Sequence, residues 1–223
     1  MAENTFPKIV IHNSISLDGS LTNFEPNMEL HYKIAGNFKP EAHLIGSNTV
    51  KIGVTLYGNG IPQEEKNDYV KAKRDKNLPY WVMIDTKGAL RGILHICRRF
   101  EFSRDIIILL SEETPKEYIE YLRERNYDHH IVGKSHVNLR EALKILSTQY
   151  GVKTVLTDTG RILGNLLLNQ GLVSEISLLI HPLIVGKDAY PILSDVKNTL
   201  NLTLQKKETL DKGYVWLVYK VNP

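Results

Sequence analysis

The chain has little cysteine and no long hydrophobic run, and both shortages exclude classes of protein. Only Cys97 is a cysteine among 223 residues, so an internal disulfide and a cysteine-rich zinc site are excluded. The apolar stretches are too short or too interrupted to span a bilayer, and the first residues, MAENTFPK, lack the apolar core of a signal peptide. We therefore expect a soluble, cytoplasmic protein with no membrane partner.

An excess of one charge is also missing. The 28 basic and 25 acidic residues leave a net charge of +3, which gives no indication of nucleic-acid binding. The basic cluster Lys66–Lys76 is typical of the solvated face of a helix or loop. The histidines show neither H-x-x-x-H nor H-E-x-x-H spacing, so no metal site is predicted. With 42% hydrophobic and 24% charged residues, we expect one globular domain over residues 1–223.

Apolar runs that predict strands alternate with segments of helical spacing. This alternation predicts an α/β fold with a mostly parallel central sheet and helices on both faces. No helical pattern separates the last three runs, which predicts an antiparallel C-terminal edge. The Gly-rich stretch Gly53–Gly60 resembles a loop that borders a site. The predicted strands are Lys8–Ile15, Ala42–Ile45, Tyr80–Ile84, Asp105–Leu110, His129–Val132, Val152–Leu156, Ser174–Val185, Leu200–Gln205 and Tyr214–Val221, and the predicted helices are Lys116–Arg125, Asn138–Tyr150 and Arg161–Gln170.

The most informative stretch contains a small-residue turn, Thr157–Gly160, between a predicted strand and the helix that starts at Arg161. A turn of this kind leaves backbone N–H groups unpaired at the positive end of a helix, where a phosphate binds readily. The same pattern occurs where the strand Ala42–Ile45 runs into Gly46-Ser47-Asn48-Thr49. Two such turns predict a ligand with more than one phosphate, or a dinucleotide.

Each motif also has a purely structural interpretation. Asp18, in Ser16-Leu17-Asp18-Gly19, either belongs to a turn that ends the first strand or lines a pocket at the strand's carboxyl end. The hydroxyls of Ser47 and Thr49 either cap a helix or bind a phosphate or ribose.

The Asp158–Arg161 turn is equally open. Arg161 is either a phosphate ligand or an exposed residue of the first helical turn. Asp158 either binds a ligand amine or only stabilises the helix N-terminus. Cys97 lies in an apolar run between arginines and is more typical of a packed thiol than of a nucleophile.

Taken together in order, these motifs resemble the reductase domain of the riboflavin-biosynthesis deaminase–reductases, a branch of the dihydrofolate-reductase-like fold. The resemblance covers nearly the whole chain. It rests on the strand and S-L-D-G of Val10–Gly19, on IGSNTV (Ile45–Val50), on MIDT (Met83–Thr86), and on the block formed by Asp158–Leu163, Gly171–Glu175 and Ile180–Gly186.

The resemblance implies a homodimeric NADPH-dependent reductase. Its substrate would be phosphorylated: a diaminopyrimidinone ribosylamino phosphate whose ribosyl group is reduced to ribityl. The cofactor carries the hydride chemistry, and the protein orients the reactants. By position, the resemblance assigns Asp18, Asp158 and His12 to the nicotinamide and substrate, and it assigns to the cofactor Gly46, Ser47, Thr49, Gly53, Thr86, Gly133, Thr159, Gly160, Arg161, Ile162 and Leu163.

The chain departs from the family pattern at several positions. Gly53 stands where the family has an acidic residue, and Asp158 replaces the glutamate of the family's E-G-G-G, where Thr159 and Arg161 also replace two glycines. Basic residues that would bind a substrate phosphate are not evident in Gly53–Gly60. Two alternatives therefore stay open: a reductase of another heterocycle, such as a folate or pteridine, and a non-catalytic nucleotide-binding protein.

Overall fold

The computed structural model describes residues 6–57, 60–71 and 73–222, and these residues form two compact units. The first unit is Glu41–Lys153 together with the described residues before Lys8. The second unit combines Lys8–Pro40 with the part of the chain that starts at Thr154. The expectation of one domain over residues 1–223 stays a prediction.

Strands and helices alternate along most of the chain. The strands are β1 (Lys8–Ser16), β2 (Ala42–Gly46), β3 (Tyr80–Ile84), β4 (Ile106–Leu110), β5 (Asp128–Ile131), β6 (Thr154–Thr157), β7 (Glu175–His181), β8 (Leu202–Thr209) and β9 (Val215–Val221), and the helices are α1 (Met28–Gly36), α2 (Ser47–Tyr57), α3 (Leu94–Arg99), α4 (Lys116–Glu124), α5 (Leu139–Tyr150) and α6 (Arg161–Asn169).

The sheet of the first unit is parallel, with strands in the order β5-β4-β3-β2. Every residue of β4 is buried, as expected for a parallel strand that is covered on both faces. Helix α2 contributes Val50 and Val54 to this core, and α4 contributes Tyr118 and Leu122. The carboxyl ends of these strands therefore meet at one edge, where the predicted turn after β2 also lies.

The sheet of the second unit has the order β6-β1-β7-β9-β8. Strands β6, β1 and β7 are parallel, whereas β9 and β8 are antiparallel and form the edge. Helices cover both faces of β1: the Ile11 side chain lies toward Gly164 of α6, and the next residue, His12, contacts His31 of α1. The predicted α/β fold is confirmed, with a mostly parallel sheet, flanking helices and an antiparallel C-terminal edge.

The structure corrects several predicted boundaries. Most of the Gly53–Gly60 stretch belongs to helix α2, because Val50 and Val54, four residues apart, bury one face of the helix; residues 58 and 59 lie outside the described residues. Strand β7 ends at His181 rather than Val185, because Pro182 has no N–H to donate to a sheet.

Other elements were not predicted from the sequence, or were predicted with different bounds. Helices α1 and α3 were not predicted, and β6 begins at Thr154 rather than Val152. Among the described residues, no helix has the length and apolar character that crossing a membrane requires.

Candidate functional site

In the first unit, the predicted residues that follow β2 and β3 lie at one sheet edge. Gly46 ends β2, opposite Ile84 of β3, and Ser47 begins α2. Thr86 follows β3 by two residues, at the same edge. The first turn of α2 contains no acidic side chain, and Gly46, Ser47 and Thr49 are all partly exposed. This N-terminus therefore suits an anionic group.

Gly53 does not belong to this edge. It lies six residues beyond Ser47 inside α2, which places it about 9 Å further along the helix axis at 1.5 Å per residue. The expectation that Gly53 lies in a loop is corrected by this helix, and its place beside the cofactor stays a prediction. A Cβ atom at Gly53 would meet nothing within 4 Å in the described structure.

Gly133, after β5, has a backbone reason to be glycine. Its φ is +85°, and an added Cβ would lie 2.3 Å from the His136 carbonyl oxygen. Its own carbonyl accepts a hydrogen bond from the Glu112 N–H at 3.0 Å, which ties the ends of β4 and β5 together. These contacts account for the glycine, and its place beside an adenosine stays a prediction.

In the second unit, the turn Asp158–Gly160 connects β6 to α6. Gly160 is the N-cap residue of α6, and as a glycine it has no side chain of its own to cap the helix. The first turn of α6 contains no acidic residue, Ile162 is exposed and Leu163 is buried. The Asn13 side-chain amide donates to the carbonyl oxygens of Asp158 and Thr159 at 3.2 and 3.3 Å, which fixes the turn. The residues present fit a phosphate at this helix N-terminus.

Arg161 has protein partners in this structure. Its Nε lies 3.0 Å from Oδ2 of Asp195, and its guanidinium lies 4.2 Å from the centre of the Tyr190 ring. Both partners belong to the long connection between β7 and β8. The side chain of Arg161 therefore fastens this connection to α6.

Asp18 holds two loops together. Its carboxylate accepts hydrogen bonds from the Ser16 hydroxyl at 2.5 Å and from the N–H groups of Gly186 at 2.8 Å and Val185 at 3.2 Å. The Ser16 hydroxyl and the backbone N–H groups lower the pKa of Asp18 to about 2. An ionised carboxylate with these partners is an anchor for the turn after β1, and its contact with a substrate stays a prediction.

His12 is fully buried, and its place beside the substrate stays a prediction. The Trp216 indole donates to the Ser177 hydroxyl at 2.9 Å, and this hydroxyl lies 2.9 Å from Nδ1 of His12. Nε2 of His12 lies 3.2 Å from the His31 carbonyl oxygen, which only accepts. Neutral His12 therefore carries its proton on Nε2 and accepts from Ser177. Burial, followed by the nearby His31, lowers the pKa of His12 to about 3.

His31, which the sequence analysis did not assign to the site, lies close to Asp158. It is buried on α1, its Nδ1 lies 3.0 Å from the Ser14 hydroxyl, and its Nε2 lies 3.7 Å from Oδ2 of Asp158. The Asp158 side chain is 17% exposed, so it has access to solvent. One feature of the sequence could have indicated a polar site here. Strand β1 is buried from Ile9 to Ser16, yet it contains several polar residues: His12, Asn13, Ser14 and Ser16.

Among the described residues, the remaining reactive groups form no second candidate site. Cys97 is buried in α3, and burial raises the pKa of its thiol to about 12, which confirms a packed thiol. The described residues contain no group of three or more histidine, cysteine or acidic side chains that could hold a metal ion. In the basic cluster, Lys66, Lys71 and Lys76 are exposed. Arg74 donates to the backbone carbonyls of Phe100 and Ser103.

Comparison with known proteins shows that this chain matches a protein family. A family model described as the RibD C-terminal domain matches residues 7–216. A curated relative, the uncharacterized protein YyaP of Bacillus subtilis, is 40% identical over 55 residues. That match spans 25% of this chain and 29% of the relative, so the chain matches less than a third of that protein's length.

Solved structures share the fold at low sequence identity. A pyrimidine reductase-like protein of Corynebacterium diphtheriae has a TM-score of 0.70 at 17% identity, covering 97% of this chain and 92% of its own. The riboflavin biosynthesis reductase of Saccharomyces cerevisiae has a TM-score of 0.65 at 17% identity, with 100% and 93% covered. RibD of Acinetobacter baumannii has a TM-score of 0.71 at 16% identity, with 99% of this chain but 59% of that chain covered. At these identities the similarity establishes the fold.

Proposed function

We propose, from the premise that this chain belongs to the RibD C-terminal domain family, that it is an NADPH-dependent reductase of the riboflavin-biosynthesis type. The coarser part of the proposal, a reductase of that type, is supported by the family and by the named reductases that share the fold. The proposal further specifies NADPH as the cofactor, a phosphorylated ribosylaminopyrimidine as the substrate, a homodimer and a cytoplasmic location.

The observation that carries the proposal is the N-terminus of α6. It follows directly on β6, its N-cap is Gly160, and its first turn contains no carboxylate. An added Cβ at Gly160 would meet nothing within 4 Å among the described residues, so the space beside this residue is open. Such a helix end binds a phosphate group through its N–H groups and its positive dipole.

The chain's own residues bind and orient the reactants. When bound, NADPH supplies the hydride. The turn Thr159–Leu163 would hold the pyrophosphate, and Arg161 can add a bidentate contact once it leaves Asp195. Asp158 follows Thr157 at the carboxyl end of β6, where ligands of open α/β sheets bind, and its partly exposed carboxylate would hold a polar group of the substrate.

A second turn of the same type is proposed in the first unit. Gly46, Ser47 and Thr49 lie at the start of α2, and Thr86 lies at the same sheet edge. The helix dipole and the hydroxyl groups would bind a phosphate or ribose of the cofactor.

The test is oxidation of NADPH that depends on the phosphorylated ribosylaminopyrimidine. Thr49→Ala and Gly160→Asp are both expected to raise the KM for NADPH, because one removes a hydroxyl and the other places a negative charge where the phosphate binds. Gly160→Ala is the matched control for the lost glycine, and Thr148→Ala on α5 is the control for a lost threonine hydroxyl. Wild-type KM values for both site variants would contradict the proposed cofactor site.

A reductase of another heterocycle is the second candidate. It is favoured by Gly53 and by the altered turn Asp158–Arg161, where the chain departs from the family pattern. Turnover of dihydrofolate without turnover of the ribosylaminopyrimidine would support it. Tight binding of NADPH with no turnover of either compound would instead support a non-catalytic nucleotide-binding protein.

A further inference from the structure

The buried face of α1 contains an imidazole where packing alone would favour an apolar side chain. His31 is 4% exposed and lies on the same helix face as the buried residues Ile34 and Ala35. Burial of a polar ring costs free energy unless its nitrogen atoms have partners. The partners of His31 therefore show what the ring does.

Two contacts fix the orientation of the His31 ring. Its centre lies 4.4 Å from the centre of the His12 ring, with 33° between the ring planes. Its Nδ1 lies 3.0 Å from the Ser14 hydroxyl. His12 is itself held at both nitrogens, by Ser177 and by the His31 carbonyl. With these contacts in place, the remaining nitrogen, Nε2, has a defined direction.

That nitrogen faces Asp158, with 3.7 Å between Nε2 and Oδ2. The other titratable groups around His31 are His12 on β1, His181 at the end of β7 and Tyr32 on its own helix, whose ring makes an edge contact with His31. Among these groups Asp158 is the one with a carboxylate, so its charge is the strongest electrostatic partner for an Nε2–H group.

We propose that His31 is a positioning residue for Asp158: its Nε2, 3.7 Å from Oδ2, keeps the Asp158 carboxylate in place at the carboxyl end of β6, and its ring is itself held by Ser14 and His12. The relevance of this arrangement for reduction rests on the proposed function, in which Asp158 contacts the substrate. The contact between His31 and Asp158 does not depend on that function.

The first arm of the test needs no substrate. Ring ¹⁵N resonances of the histidines are compared between the wild type and Asp158→Asn, a substitution of a partly exposed side chain. The Nε2 resonance of His31 is expected to shift, because its charged partner has become neutral. His181, buried in the same unit with Nε2 bonded to the Asn27 N–H, is the internal control and is expected to stay unchanged. An unchanged His31 resonance overturns the inference.

The second arm separates positioning from stability. His31→Leu is expected to lower kcat about tenfold, because the 3.7 Å contact with the Asp158 carboxylate is lost, with little change in the KM for NADPH. His31→Gln keeps an N–H donor near the position of Nε2 and is expected to restore most of kcat. His181→Leu, the matched loss of a buried imidazole, is expected to lower the midpoint of thermal unfolding without changing kcat.

The outcomes distinguish the two proposals. Wild-type kcat in His31→Leu, or equal kcat losses in His31→Leu and His31→Gln, overturns the role of His31. If the wild-type protein reduces none of the substrates, the proposed function fails, and the ¹⁵N comparison still decides whether His31 and Asp158 are coupled. If His31→Leu does not fold, the Asp158→Asn comparison decides in the same way.

Discussion

Nε2 of His12 donates a hydrogen bond to the backbone carbonyl oxygen of His31 at 3.2 Å, and the two imidazole rings lie 4.4 Å apart. The bond joins the centre of β1 to the middle of α1 inside the second unit. It requires His12 to carry its proton on Nε2, because a carbonyl oxygen only accepts. It also leaves Nδ1 as the acceptor for Ser177, so protonation of Nδ1 would break an existing bond.

The buried state of His12 predicts a loss of stability in acid. The pKa of His12 is lowered from 6.5 to about 3 in the folded chain, so between these values the unfolded chain binds a proton that the folded chain does not. The free energy of unfolding therefore falls as the pH drops from 6.5 toward 3, by at most about 1.4 kcal/mol per pH unit from this group. Urea unfolding at a series of pH values measures the slope.

A matched pair of variants isolates this contribution. His12→Gln keeps an N–H donor for the His31 carbonyl but cannot be protonated, so its stability should fall less steeply over the same pH range. His136→Gln, at an exposed position, should keep the wild-type slope. Equal slopes in wild type and His12→Gln would contradict the buried neutral state of His12.

Asp18 predicts a further loss of stability in acid, in the same direction but at lower pH. Its folded pKa of about 2 is below the ordinary value of 3.8, so the stabilisation by the ionised carboxylate is fully present above pH 3.8 and is lost as the pH falls toward 2. Asp18→Asn should therefore be less stable than wild type at neutral pH, and the difference should shrink in acid. Thermal unfolding at pH 7 and at pH 2.5 gives the comparison; a difference that is independent of pH would show that the charge is not involved.

Gly133 and Gly151 form a matched pair of glycines with positive φ in the first unit. Their φ values are +85° and +68°, but an added Cβ at Gly133 would clash with backbone atoms at 2.3 and 2.9 Å, whereas at Gly151 it would meet nothing within 4 Å. Gly133→Ala should thus destabilise the chain about 1–3 kcal/mol more than Gly151→Ala. Chemical unfolding of both variants measures this, and equal losses would refute the predicted clash.

The ion pair between Arg161 and Asp195 predicts a gain of ligand affinity on its removal. Asp195 is about half exposed, so the pair is worth about 0.2–1 kcal/mol. Asp195→Asn frees the guanidinium and should lower the Kd for NADPH by up to about fivefold. Asp188→Asn makes the same change of charge in the same connection and is the control. A Kd that is higher or unchanged in Asp195→Asn would exclude Arg161 as a phosphate ligand.

Much of the fold could be predicted from the sequence because its strands are strong apolar runs. The run Ile106–Leu110 predicts a buried parallel strand, and all of it is buried in β4. The start of α5 was similarly visible, since Asn138 caps it by accepting from the Glu141 N–H at 3.2 Å. Helix α2 was less visible because Gly53 and its neighbours are typical of loops, and only the packing of Val50 and Val54 makes the segment helical.

The candidate site was harder to predict than the fold. The turn at Thr157–Gly160 was visible because a glycine between strand and helix has a local physical meaning. The contact between His31 and Asp158 joins residues that are 127 positions apart, and nothing local to α1 indicates it. His12 shows the converse: its position in the sequence suggested a reactive group, whereas its burial against Ser177 and Trp216 became evident only in the folded chain.

The most direct test of the account is a fluorescence titration of the purified chain with NADPH and with NADH, repeated with Gly160→Asp and Gly160→Ala. The account predicts micromolar binding of NADPH in preference to NADH, weaker binding in Gly160→Asp, and near wild-type binding in Gly160→Ala. Failure of the wild-type chain to bind either nucleotide, or equal affinity in wild type and Gly160→Asp, would contradict the central claim that the N-terminus of α6 binds the cofactor.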